Sequence, residues 1–176
     1  MSLLSRDEII GALQKLGVLA QEHKLSIELW VIGGAAMSLA FNARESTHDV
    51  DALIVSPREA RKVRELAKQV ADEMGFEEDW LNDGAKGYFM GLSQGDVVLQ
   101  SPGLVVKRPS VEQLLAMKLS AWRDDVDIED ARILLQQLSG ERGSVWKSIE
   151  SFLVRGRELK AQYAFQDLWE STYGDN

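Results

Sequence analysis

Apolar and polar positions along the chain change rhythm several times, and each change marks an element. Ser5 and Glu8 have the spacing of a capping box, and Ile9, Ile10, Leu13 and Leu16 then recur at helical intervals. A first helix is expected from about Arg6 to about Glu22, with Gly17 as a point of bending or interruption. From Glu28 to Ile32 the pattern becomes short, apolar and β-branched and stops at Gly33-Gly34, which reads as a buried strand ending in a tight turn. Ala35 to Asn42 follows as a short helix. Polar residues 44–48 form a loop before Asp49-Val50-Asp51-Ala52-Leu53-Ile54-Val55 resumes strand character. Ser56-Pro57-Arg58-Glu59 has the composition of a helix start, and that helix should run to about Met74 with Gly75 as its stop.

Between Phe76 and Pro109 the apolar runs are short: Tyr88 to Leu92, Val97 to Leu99 and Leu104 to Val106. They predict an antiparallel extension of the sheet, with Ser93-Gln94-Gly95-Asp96 as its hairpin turn. After Pro109 the pattern is helical throughout. Ser110 caps a helix carrying Leu114, Leu115, Met117 and Leu119; a second covers Asp127 to Leu138, and two more cover about 144–154 and 158–170. The expected organisation is a mixed α+β core over residues 1–109 and a helical region over 110–176.

Composition narrows the chemistry. Of 176 residues, 28 are acidic and 20 are Lys or Arg, a net charge of -8 that argues against coating an extended nucleic-acid duplex through a basic face. With no cysteine and two histidines, thiol nucleophiles, disulfides and three-histidine metal sites are excluded. The most apolar stretch, Leu29 to Phe41, is too short and too interrupted for a membrane span. Ser5-Arg6-Asp7-Glu8 precedes any long apolar block, unlike a secretory leader, so a soluble cytoplasmic protein is expected.

Two features on successive strand ends carry the candidate chemistry. A Gly-Gly turn opening a helix exposes backbone N–H groups without side-chain obstruction, which suits a phosphate. Asp49 and Asp51, two apart on a strand, point to one face with Cα atoms about 6.6 Å apart. Two carboxylates converging on one point favour a cation between them, and hard oxygen donors suit Mg2+ or Mn2+. Either feature alone is commonly just a turn or a solvated strand end, but their order favours nucleotide chemistry. Walker and dinucleotide glycine motifs are absent, as is a G-x-S-x-G serine-nucleophile context. Five tryptophans invite a base-stacking role, yet Trp30, Trp122, Trp146 and Trp169 sit at apolar positions that suit a core, leaving Trp80 as the one whose exposure matters.

The string Val31-Ile32-Gly33-Gly34-Ala35-Ala36-Met37 with Thr47-His48-Asp49-Val50-Asp51 resembles the nucleotidyltransferase signature of the DNA polymerase beta type. Its Gly-Gly variant is that of CCA-adding enzymes and AbiEii-type toxins. Leu114 to Leu119, Arg123-Asp124 and Asp127-Ile128-Glu129-Asp130 are similar to the later pattern of small bacterial nucleotidyltransferase-like proteins, as is Trp80-Leu81-Asn82-Asp83. The resemblance implies transfer of a nucleoside monophosphate from an NTP to an acceptor: a tRNA end, a protein or a small molecule. It implies Asp49 and Asp51 as metal ligands, Gly33 and Gly34 at the phosphates, Lys118 as a triphosphate contact and Thr47 as a turn cap. A third carboxylate on a neighbouring strand is expected, with Asp96 as its best candidate and Asp124, Asp127 and Asp130 as alternatives. A toxin with an antitoxin-like protein partner, or a non-catalytic module retaining the fold, are the corresponding biological readings.

Overall fold

The computed structural model describes residues 3–174. Two compact units emerge, one built from the chain up to Lys86 together with Gly95–Arg108, the other from Gly87–Gln94 together with the chain from Pro109 onward. The first contains β1 (Leu4–Ser5), α1 (Arg6–Glu22), β2 (Ile27–Val31), α2 (Gly33–Phe41), β3 (Ser46–Thr47), β4 (Val50–Ser56), α3 (Ala60–Met74), β5 (Leu81–Asn82), β6 (Val97–Ser101) and β7 (Leu104–Lys107). The second contains α4 (Val111–Ala121), α5 (Asp125–Gln136), α6 (Arg142–Glu150) and α7 (Glu158–Tyr173). This is an α+β architecture built on a small mixed sheet.

Strands of that sheet lie in the order β5-β4-β2-β7-β6. β2 runs antiparallel to β4 and parallel to β7, while β4 runs parallel to β5. Alternation then separates two faces. Ile27, Leu29, Val31, Val50, Ala52, Leu104 and Val106 are buried, and α1 and α3 supply Ile9, Leu13, Leu16, Val63, Leu66 and Val70 to the same core. On the other face, register aligns Leu53, Trp30 and Lys107 across β4, β2 and β7, and pairs Asp51 with Asn82 across β4 and β5. Leu53, Lys107, Asp51 and Asn82 are only half-buried. The polar face is therefore the one that carries the candidate chemistry.

Several local expectations give way to tertiary packing. Gly17 does not end α1, which runs through it to Glu22; the β6–β7 turn packs against it, and a Cβ there would lie 2.8 Å from the Pro102 carbonyl oxygen. Ser56 ends β4 instead of capping a helix: it pairs with Glu28, and its hydroxyl donates to the Ser26 carbonyl at 3.3 Å. α3 accordingly begins at Ala60. Tyr88–Leu92 adds no strand, and the hairpin turn of the sheet falls at Pro102-Gly103, where Gly103 takes φ +77°.

Trp80 is buried, not displayed for stacking. Its indole Nε1 donates to the Ala67 carbonyl of α3 at 2.9 Å, and Phe76 meets it edge-on at 6.1 Å. Its own carbonyl accepts from Val50 N at 2.6 Å, so one residue ties α3, β4 and the start of β5 together. In the helical unit, Trp146, Phe165, Trp169 and Tyr173 form a continuous aromatic row with centroid spacings of 5.2, 5.7 and 4.8 Å. Trp122 instead occupies the left-handed C-cap of α4, at φ 39°. Truncating so large a buried side chain costs about 3–5 kcal/mol. Trp80→Ala is therefore expected to lower the urea midpoint by the equivalent of that amount, with a near-wild-type midpoint the contrary result.

Candidate functional site

The chain reaches the candidate site through the left-handed conformation of Gly33, at φ +59°, which turns β2 directly into α2. The turn is held to β4 by a hydrogen bond from Ile32 N to the Asp51 carbonyl at 3.0 Å. A Cβ on Gly33 would lie 3.6 Å from Asp51 Oδ2, so the missing side chain leaves backbone and carboxylate facing each other. Gly34 answers a tighter constraint. A Cβ there would meet Thr47 Oγ1 at 2.5 Å and Arg44 Nη1 at 3.0 Å, which places a hydroxyl and a guanidinium over the same turn. Ile32 offers no side-chain cap to α2, and its first-turn N–H groups are left to be satisfied otherwise.

Asp49 and Asp51 flank Val50 where β4 begins. Beside them β5 contributes Asn82, in register with Asp51. Its Nδ2 donates to Asp49 Oδ2 at 2.9 Å, while its Oδ1 accepts from Gly84 N at 2.9 Å. Because a backbone N–H can only donate, the amide is fixed the right way round: oxygen toward Gly84, NH2 toward Asp49. A Cβ on Gly84 would lie 3.8 Å from Asp51 Oδ1, so this glycine forms the rim of the same constellation. Asp83 is bound instead by Arg64 at 2.8 Å and Lys86 at 3.4 Å. Burial pushes its carboxyl up, but those two cations outweigh it and hold the group below the usual aspartate range.

Arg44, Asn82 and Gly84 were not singled out by the sequence pattern for any role here. Asn82 lies in a two-residue strand whose partner is decided by parallel pairing, for which a short apolar stretch carries no local signal. His48 is exposed and Thr47 is buried in β3, where it pairs with Leu4.

Asp96 is not brought into this group. β6 is the far edge strand, separated from β4 by β2 and β7, three strand spacings or roughly 14 Å. Its carboxylate is exposed and paired with Arg108 Nη2 at 2.5 Å, and Arg108 itself lies over the Phe41 ring at 5.1 Å. Among the described residues, no three Asp, Glu or His side chains converge in a way that could hold a metal ion.

Lys118 lies in the helical unit with both of its ordinary ion-pair partners. Its ammonium meets Asp127 Oδ1 at 2.9 Å and Asp130 Oδ2 at 2.7 Å, and all three residues are buried. Arg123 adds a second cation on Asp127 at 3.1 Å, and Asp124 caps α5 by accepting from Asp127 N at 3.0 Å. Burial raises the Asp127 carboxyl, yet the Arg123 and Lys118 bonds prevail and hold it below the ordinary range. Two acids and two bases thus neutralise one another, and Asp124, Asp127 and Asp130 serve the helical unit's own packing.

A strand, a glycine turn, a helix and a second strand with paired aspartates define an α+β domain of nucleotidyltransferase type. The chain belongs to the family described as "Nucleotidyltransferase of unknown function (DUF6036)", whose model matches residues 8–142. Comparison with curated proteins and with solved structures returns no match for the chain. No helix among the described residues is long and apolar enough to cross a membrane.

Removing one member of a buried ion pair leaves the other charge unpaired, at a cost of about 3–5 kcal/mol. Lys118→Met should therefore destabilise the protein by that order in urea unfolding. Because the native pKa of Asp127 is lowered, its stabilisation is complete above an unfolded value of about 3.9 and is lost as pH falls through the native one. Asp127→Asn should flatten the acid limb of the stability profile below about pH 4.

Proposed function

We propose that this chain binds an NTP at the Gly33-Gly34 turn and transfers its nucleoside monophosphate to an acceptor hydroxyl. The observation that carries the reading is the facing of the Gly33 backbone and the Asp51 carboxylate, whose Oδ2 is 3.6 Å from where a side chain would begin. A triphosphate on the N-terminal amides of α2 would lie against the two aspartates. Arg44, beside Gly34, adds a fork of N–H donors matched to phosphate oxygens.

The oxygen donors of Asp49 and Asp51 fit Mg2+ or Mn2+. Bound there, such a cation would offset the triphosphate charge and the charge developing on the transferred group. The rest is positioning by the chain's own residues. Gly33 and Gly34 fix the phosphates, and Arg44 pins their orientation. The acceptor oxygen forms a bond to the α-phosphorus as the bond from that phosphorus to the β-bridging oxygen breaks, pyrophosphate departs and the hydroxyl proton passes to solvent. Asp96 and Lys118 have no part in this scheme, since Arg108 engages the first and two buried carboxylates neutralise the second. With a net charge of -8, a small molecule, a protein or a locally gripped RNA end suits the acceptor role better than a long duplex.

A second reading, a nucleotide-binding module without efficient transfer, is favoured by one observation: the strand beside β4 offers the amide of Asn82 where an acid would help activate an acceptor. Incubation with each labelled NTP, Mn2+ and tRNA, protein or small-molecule acceptors separates the two readings by whether label moves.

Both readings require the same binding site. Asp49→Ala and Asp51→Ala are each expected to abolish Mg-NTP binding measured with a fluorescent nucleotide. Arg44→Ala should weaken it on the order of tenfold, about 1.4 kcal/mol. Unchanged affinity in both aspartate variants would sink the proposal.

A further inference from the structure

Asn82 offers the most specific clue to how the site handles charge. It stands on β5 directly beside Asp51 and gives its NH2 group to Asp49, the other member of the pair. Its orientation is enforced by Gly84 N, so the positive end of the amide dipole cannot swing away without orphaning that contact. Two consequences follow. The Asp49 carboxylate is held through Oδ2 by the Asn82 amide. On the Asn82 side the pair meets an NH2 group, which donates to Asp49 Oδ2 at 2.9 Å and to the Asp79 carbonyl at 3.4 Å, in place of an anionic side-chain oxygen.

Resting on the nucleotide-binding reading above, we propose that Asn82 is a positioning residue that limits this site to one divalent cation per bound nucleotide. Two cations about 3.5–4 Å apart carry more positive charge than two carboxylates offset, so a further anionic side chain beside the pair would favour the second. Here the neighbouring strand places an oriented amide donor beside Asp49 and Asp51 instead. Asp83, the acid next to Asn82 in the chain, is taken up by Arg64 and Lys86, so it is not a substitute ligand. Exchanging the amide for a carboxylate replaces the donor with an acceptor of nearly identical shape and supplies that further anionic side chain.

The test counts Mn2+ by the electron paramagnetic resonance signal of the free ion, in the presence of a saturating α,β-methylene NTP analogue. Wild-type protein should hold one Mn2+ per complex, with the spectrum of an isolated ion. Asn82→Asp should hold two and show the broadening of a spin-coupled pair. Asn82→Ala should keep one, bound several-fold more weakly because Asp49 has lost its orienting donor. Two ions in the wild type, one in a folded Asn82→Asp protein, or undiminished affinity in Asn82→Ala would each overturn the inference while leaving nucleotide binding intact. Failure of the wild type to bind the analogue with any Mn2+ would instead overturn the functional reading on which it rests.

Discussion

Everything proposed for this protein depends on the register of β4 against its two neighbours. Antiparallel pairing with β2 sets Ala52 opposite Val31 and Leu53 opposite Trp30, while parallel pairing with β5 sets Asp51 beside Asn82. Because side chains alternate, a slip of one residue would exchange the two faces of the strand. Asp51 would then enter the core now filled by Val50 and Ala52, a burial that two charged carboxylates could not sustain unpaired. Apolar packing by α1 and α3 on one face is thus what holds the aspartates on the other. Trp80 extends the same control to β5, through one side-chain and one backbone hydrogen bond.

The two units treat acid pairs in opposite ways. In the helical unit Asp127 and Asp130 share Lys118, all three buried, and the exposed Arg123 adds a second cation on Asp127. Such a cluster is costly to open and poorly suited to bind and release a charged ligand. In the sheet unit Asp49 and Asp51 are half-buried, and the Asn82 group beside them is neutral. The contrast explains why an acidic pair can be read as a ligand site in one place and as packing in the other, although both occur as short-spaced acids in the sequence.

Legibility in the sequence followed the range of the interactions involved. α1 was readable because its capping box and apolar stripe are local; Ser5 and Glu8 bond to each other as the spacing predicts. The Gly33-Gly34 turn and the Asp49-x-Asp51 strand were equally local, and the structure brings Gly33 and Asp51 face to face. What escaped notice depends on distant partners. Ser56-Pro57-Arg58-Glu59 has the composition of a helix start, but pairing with Glu28 claims Ser56 for the strand. Asp96 has the look of a strand-end acid, but the strand order puts β6 at the far edge. Gly17, apparently a helix breaker, is a space left for the Pro102 backbone. None of these partners can be inferred from the residues within one turn of the position concerned.

Asn82 sharpens that lesson into a chemical one. An amide and a carboxylate fill almost the same volume and fit the same strand position, so packing does not choose between them. The choice is electrostatic: the amide can bond both Gly84 N and a carboxylate, whereas an ionised aspartate could accept from Gly84 but would repel Asp49. With asparagine, the pair of aspartates is stable as folded, requiring no cation to relieve a third negative charge. The same choice leaves no anionic side chain at that position of β5. On the proposed reading the site would hold its nucleotide with an amide and not an acid at that strand position, so an acceptor hydroxyl would give up its proton to solvent.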